Sequence, residues 1–215
     1  MNRPPSFQRP PAPTGLLVFG FGGHARSVAD IALACGTTEL VFVDENVRAG
    51  EQFFHYRVLR EWDQSLPDGW HAFSAAGDAA IRARHHETFT MNGWPHSALI
   101  ADSATVGIGA SIGCGCMIGN HAHIGPMATV GVGCIINTAA VVEHECVIRE
   151  FTHVSVNATV AGRTTVGRRC MIGAGASVID GLQIGDDIVI GAGAVVHRSI
   201  REPGVYVGNP LRKLR

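Results

Sequence analysis

From Ile100 to Val196 an isoleucine or valine stands at every sixth position without exception, running Ile100, Val106, Ile112, Ile118 and onward to Ile184, Ile190 and Val196. Two residues earlier the slot is small in most repeats (Ala98, Ala104, Ala110, Cys116, Ala122), and glycine is common one residue later (Gly107, Gly113, Gly119, Gly125, Gly131). A period of six fits neither an α-helix (3.6) nor an indefinitely continued strand (2.0). It fits a chain that makes a short strand, turns a corner and repeats. With three edges to a coil of about 18 residues, the seventeen repeats make between five and six coils. The β-branched side chains point inward and stack from coil to coil, while glycine and small residues relieve the corners. The predicted fold is a left-handed parallel β-helix over 96–202, an exception to the usual right-handed crossover.

A different pattern precedes the repeat. Leu16–Phe19 reads as a strand, Gly20-Phe21-Gly22-Gly23-His24-Ala25 as a turn into a helix, and Ala25, Val28, Ala29 and Ala32 share one face of that helix, which Gly36 ends. Leu40–Val43 is a second strand ending at Asp44-Glu45, and His71–Ser74 a third, with a short helix from Gly77-Asp78. Residues 15–95 therefore predict a small Rossmann-like α/β domain, with Trp94-Pro95 at the junction. Residues 1–14 contain five prolines and predict a disordered tail. Residues 203–215 follow as a C-terminal extension.

Formal net charge is −1 with 16% charged residues, so no strong field points to nucleic acid or an anionic membrane. There is no apolar leader and no membrane-length apolar run, which predicts a cytoplasmic protein. Four of the six cysteines (Cys116, Cys134, Cys146, Cys170) occupy the small slot of the repeat, so they read as buried hydrophobes. Cys114-x-Cys116 lacks the second pair of a zinc motif, and no metal is expected.

The Gly-rich turn satisfies G-x-G-x-x-A, and Asp44 lies about 20 residues on, as in a dinucleotide fold. The segment is too short for the two halves a dinucleotide spans. What remains is a helix N-terminus that favours a phosphate, or a tight turn without a ligand. Further on, the glycine pattern breaks after Ile136, and Glu143-His144-Glu145 falls at an outward corner. A histidine flanked by carboxylates is a candidate general base, because a nearby negative charge favours the protonated imidazole. The pairs Gly173-Ala174-Gly175-Ala176 and Gly191-Ala192-Gly193-Ala194 are 18 residues apart and stack on successive coils. Two corners without bulky side chains suit an extended pantetheine arm, or simply ease the packing.

The chain resembles the sugar acetyltransferase family of hexapeptide-repeat enzymes, which includes nucleotide-4-aminosugar N-acetyltransferases of the bacillosamine and perosamine type and sialic acid O-acetyltransferases. The matching stretches are G-F-G-G-H-A at 20–25, V-D-E at 43–45, G-D-A-A-I-R at 77–82, N-T-A-A-V-V-E-H-E-C-V-I at 137–148, H-V-S-V at 153–156 and V-G-N-P at 207–210. The resemblance implies acetyl-CoA as co-substrate and a nucleotide-linked amino sugar as acceptor. It implies His144 as base with Glu145 supporting it, His153 against acetyl-CoA, and Gly22, Gly23, His24, Asp44, Glu45 and Gly77 as substrate contacts; with it, the Ala174 and Ala192 corners read as the acetyl-CoA groove. It further implies a homotrimer with sites between β-helices. O-acetylation of sialic acid and a non-catalytic scaffold are the alternatives. A γ-type carbonic anhydrase would need a zinc-binding histidine triad with a close His-x₄-His pair.

Overall fold

The computed structural model describes residues 7–214. Strand β1 (Gly15–Phe19) runs into helix α1 (Gly23–Ala34), then β2 (Glu39–Val43), the short β3 (Gln52–Phe53) and β4 (Tyr56–Leu59), β5 (Trp70–Ser74) and helix α2 (Ala79–Met91). The sheet order is β3-β4-β2-β1-β5. Strand β1 pairs in parallel with both β2 and β5, as alternating strands and helices require. The predicted helix face of Ala25, Val28, Ala29 and Ala32 is buried. The β3–β4 hairpin was not expected. Helix α2 runs 13 residues, longer than the short helix expected, and Asp78 caps it by accepting from the Ile81 N–H.

From Leu99 onward two-residue strands recur every six residues and stack into three sheets of six, five and eight strands. The first face contains Leu99–Ile100, Met117–Ile118, Ile135–Ile136, His153–Val154, Met171–Ile172 and Ile188–Ile190. The second runs from Thr105–Val106 to Val195–Val196, and the third from Ser111–Ile112 to Gln183–Ile184. Pairing partners are 18 residues apart, as in His123↔Val141 and Ile135↔His153. The repeated aliphatic is fully inside in the central coils, with Ile136, Val142, Ile148, Val154 and Val160 all at 0% exposure. Burying each such side chain contributes about 1.5–3 kcal/mol.

Two features refine the repeat. Where glycine follows the inward aliphatic, the next coil comes close to it: a Cβ on Gly125 would lie 2.5 Å from the His144 nitrogen. The left-handed backbone falls instead three residues after the aliphatic, at glycine (Gly115, φ +61) or at other residues such as Glu145 (φ +58). The small slot also does more than fill space. The Cys134 thiol and the Thr164 hydroxyl each donate to a carbonyl 15 residues on (Arg149, 3.0 Å; Ile179, 3.0 Å), and Cys116 and Cys170 do the same at Gly131 and Gly185.

The segment after residue 202 continues the solenoid. Gly204–Val207 adds to the first face beside Ile188–Ile190, and Arg212–Lys213 closes it antiparallel. Of the segment expected as a tail, 1–6 lie outside the described residues. Over 7–14, Phe7 packs against the core and Arg9 donates to the carbonyls of Ala101 and Ala104. One hydrophobic cluster runs from Leu16 through α1 into the β-helix, so the two domains share a core. Among the described residues no helix is long and apolar enough to cross a membrane.

Candidate active site

The sequence-predicted residues fall into three places. At the C-terminal ends of β1, β2 and β5 an open cleft of about 620 Å³ is lined by Gly20–Gly22, Asp44, Glu45 and Gly77, with Arg60, Trp62 and His85. The N-terminus of α1 opens here at Gly22 and has no side-chain cap. A Cβ on Gly22, Gly23 or Gly77 would meet nothing within 4 Å. Their bareness therefore leaves space rather than relieving a clash, and the helix N–H groups and positive dipole end face it. Only Gly20 (φ +101) has a backbone reason to be glycine. Both oxygens of Asp44 are engaged, accepting from the Phe21 and Asn46 N–H groups at 2.9 Å each. Asp44 thus braces the Gly-rich turn against β2, while Glu45 is exposed on the rim.

His24 does not line this cleft. It leaves α1 on the side facing the β-helix, where its ring lies 6.3 Å from that of His153. Asn137 donates its amide to His153 Nε2 at 3.2 Å, which leaves the proton on Nδ1. That nitrogen, like Nε2 of His24, is buried without a partner among the described residues. Burial, reinforced by the Arg82 charge, pulls His24 down to about 4, and burial, Arg82 and His24 pull His153 down to about 3. Both rings are therefore neutral in the folded protein at pH 7, whereas each protonates near 6.5 in the unfolded chain. Stability is fully present above about pH 6.5 and is lost as pH falls towards 4, because the unfolded chain takes up protons that the folded one refuses. Urea unfolding at pH 6.5 and pH 5 is expected to show a loss of up to about 3 kcal/mol from the two rings. A His24→Gln, His153→Gln double variant should make that slope shallower by their share, buried His86, also pulled down to about 4, keeping part of the rest; an unchanged slope would mean that these rings are not held neutral.

His144 occupies a third place, the corner between the second and third faces. Its Nδ1 lies 3.2 Å from Glu145 Oε2, and its N–H donates to Glu143 Oε2 at 3.2 Å. Because the carboxylate oxygen accepts, Nδ1 carries the proton and Nε2 presents a lone pair. The ring lies over the next coil at Gly162, where a Cβ would come within 2.5 Å of Nε2. Gly162 is thus a site residue that the sequence reading missed; its signal was its place 18 residues after His144. The imidazole is 44% exposed, open to an incoming acceptor. Ala174 and Ala192 sit on yet another corner, between the first and second faces, both exposed, with the Gly193 N–H bonded to the Ala174 carbonyl at 2.8 Å. Gly173 is needed for packing, since its Cβ would meet the Ala192 nitrogen at 2.6 Å. Gly175 and Gly193 have nothing within 4 Å. That corner is open on its outer side.

Within one chain, His144 makes no hydrogen bond to the N-terminal domain among the described residues, and the width of the second face separates it from Ala174 and Ala192. Arg82 ties the domains together. This residue of α2 is 1% exposed and donates to the carbonyls of Ala76, Gly77, Gly133 and Phe151.

Residues 15–89 match the family model for the PglD N-terminal domain, and 163–198 match the hexapeptide repeat of succinyl-transferase. Comparison with curated proteins gives no match. Among solved structures, the acetyltransferase domain of PglB from Neisseria gonorrhoeae in complex with acetyl coenzyme A is 32% identical, with 94% of this chain and 100% of that chain covered and a TM-score of 0.88. PerB from Caulobacter crescentus in complex with CoA and GDP-perosamine is 31% identical over 94% of this chain and 97% of that one, TM-score 0.85. WeeI from Acinetobacter baumannii shares the fold at 22% identity and TM-score 0.82, over 93% of this chain and 99% of that one.

Proposed function

The chain belongs to the sugar acetyltransferase family of hexapeptide-repeat enzymes, and on that premise we propose that it transfers the acetyl group of acetyl-CoA to the amino group of a nucleotide-linked amino sugar. The observation that carries this reading is the 31–32% identity, over 94% of the chain, to structures holding acetyl-CoA or CoA with GDP-perosamine. Nε2 of His144 takes the proton from the amine as the nitrogen attacks the thioester carbonyl. Glu145 holds the ring in the Nδ1–H tautomer. The CoA thiolate then leaves without needing a strong acid, and no step calls for a metal. A positioned base of this kind supplies roughly 100- to 10,000-fold. His153, with a buried Nδ1–H that has no acceptor among the described residues, supplies a contact for acetyl-CoA.

The cleft of the N-terminal domain takes the nucleotide. Bare N–H groups at α1 meet the diphosphate, and Arg60, the one arginine or lysine among the described lining residues, supplies the opposing charge. Trp62 offers a flat face at the same rim. Gly22→Val is accordingly expected to raise the KM for the sugar nucleotide at least about tenfold, with the KM for acetyl-CoA unchanged and the melting temperature preserved. Steady-state kinetics with each substrate varied reads this; a rise confined to acetyl-CoA would exchange the two sites.

Since His144 and the open Ala174–Ala192 corner lie at different corners of the triangle, a complete site calls for a second copy, consistent with a trimer. Exposed Met127 and Val147 lie beside the His144 corner as apolar surface that a neighbour would cover. Ala192→Trp points outward, so it should cost no more than about 0.5 kcal/mol of stability. It should nevertheless weaken acetyl-CoA binding more than about tenfold by calorimetry while leaving sugar-nucleotide binding alone. Unchanged CoA affinity would move the pantetheine path elsewhere. The acceptor is tested directly by thiol release from acetyl-CoA against UDP-, GDP- and TDP-linked amino sugars; turnover of a hydroxyl acceptor such as sialic acid, with none on any amine, would overturn N-acetylation.

A further inference from the structure

Helix α2 sends a second side chain towards the β-helix one turn after Arg82. His86 is 5% exposed, and among the described residues its buried Nε2 makes no well-formed hydrogen bond, with the Gly115 backbone close by. The ring edge occupies the space of a missing side chain at Gly115, where a Cβ would fall 2.0 Å from Cε1. His96, just past the domain junction, faces it edge-on, with ring centroids 5.1 Å apart at 85°. Nδ1 of His96 lies 2.8 Å from the Trp94 carbonyl, which can only accept, so the proton is on Nδ1 and Nε2 keeps its lone pair. That is the arrangement in which the outer hydrogen bond orients a metal-binding imidazole. Cys114, exposed on a β-helix corner, completes the group, and the three ligating atoms all lie within 4.8 Å of one another. Residue 114 faces outward whereas Cys116 turns inward and donates to the Gly131 carbonyl, so the two cysteines of the C-x-C are not a chelating pair.

We propose that His86, His96 and Cys114 form a structural zinc site that ties α2 to the first coils of the β-helix. Donors around one tetrahedral zinc, at about 2.0–2.3 Å from the ion, stand about 3.4–3.8 Å apart. The cluster therefore needs to contract by no more than about 1.4 Å, and the exposed Cys114 side chain supplies its part of that by rotation. A thiolate with two imidazoles suits zinc rather than magnesium or calcium. The Cys114 thiol gives its proton to solvent as the zinc–sulfur bond forms, and water from the adjoining cleft beside Trp94 and Ser97 takes the fourth position. The three ligands come from α2, the junction and the β-helix, so the ion would bridge parts of the fold that Arg82 already joins. The site is separate from the acyl-transfer chemistry, which proceeds without it.

The test uses the full chain, stripped with a chelator, kept reduced and titrated with Zn²⁺ against a chromophoric competitor. One equivalent per chain should bind more tightly than about 1 µM and raise the melting temperature. Cys114→Ser and His96→Gln should each weaken binding at least 100-fold, whereas Cys35→Ser should leave it unchanged. Cys114 is exposed, so its variant folds even where a change at buried His86 would not. Co²⁺ in place of Zn²⁺ should give a thiolate charge-transfer band that Cys114→Ser abolishes. Substoichiometric or weaker binding to the parent chain, affinity unchanged in both variants, or a cobalt band that persists without Cys114 would overturn the site.

Discussion

His144→Ala is expected to lose at least about 100-fold in turnover, equivalent to about 2.7 kcal/mol of transition-state stabilisation, while melting like the parent chain. The structural cost is small because the ring is 44% exposed and its one side-chain hydrogen bond is to the adjacent Glu145. The inward neighbours Val142 and Ile148, both fully buried, are untouched. The kinetic cost is large because the adjacent coils offer no substitute base at that corner, carrying Gly125-Pro126-Met127 on one side and Ala161-Gly162-Arg163 on the other. His144→Asn should fall as far as alanine, since it keeps polarity without a base. Glu145→Gln should fall less, because the amide can still accept from Nδ1–H and hold the tautomer. Pre-steady-state acetyl transfer separates a slowed chemical step from slowed product release. Near-parental turnover in the alanine variant would remove His144 from the mechanism.

The largest expected effect on stability belongs to Arg82. Its guanidinium donates to four carbonyls, two in the N-terminal domain and two on the β-helix. Among the described residues no carboxylate pairs with it directly; oriented carbonyl dipoles surround the charge, Asp78 favours it from further off, and burial pulls its pKa down. Removing the side chain relieves that desolvation but strands the Gly133 and Phe151 carbonyls at a dry junction, at about 1–3 kcal/mol for each unsatisfied group. The stranded carbonyls win, since the bonds already compensate the desolvation in the native state. Arg82→Met is expected to cost about 2–4 kcal/mol, or about 5–15 °C in melting temperature for a cooperative unit of this size. Lysine should not rescue it, because one ammonium cannot reach four carbonyls spread over two domains. Chemical unfolding measures the cost, and a loss below about 0.5 kcal/mol would mean that the shared hydrophobic core alone docks the domains.

Some of this molecule could be read without its coordinates because it is translational. Once one hexapeptide is placed, every sixth residue inherits the same surroundings, so the inward positions of Ile136, Val142 and Ile148 follow from spacing alone. The α1 face was equally legible, since Ala25, Val28, Ala29 and Ala32 form an apolar stripe. Helix α2 was legible at its start, Gly77-Asp78, but not in its length or inward face: two of its three buried residues are Arg82 and His86, so the side turned inward carries no hydrophobic pattern to detect. The β3–β4 hairpin was hidden for a related reason, being half exposed and short. The corner glycines were seen, but their division of labour was not, because close approach and left-handed backbone leave the same letter in a sequence.

The sequence by itself determined the β-helix, its register, the Gly-rich turn and the outward placement of His144, each a consequence of local period or of residues a few positions apart. Only the tertiary structure decided which of these meet. Residues 24 and 153 are far apart in the chain yet face each other as neutral rings; residues 86, 96 and 114 converge from three elements; and 144 stands a face away from 174 and 192. Contacts of that kind depend on how α2 and α1 dock against a particular side of the solenoid. That docking is set by Arg82 reaching carbonyls at 133 and 151 and by a shared apolar core, interactions between backbone groups and surfaces that no spacing in the chain encodes.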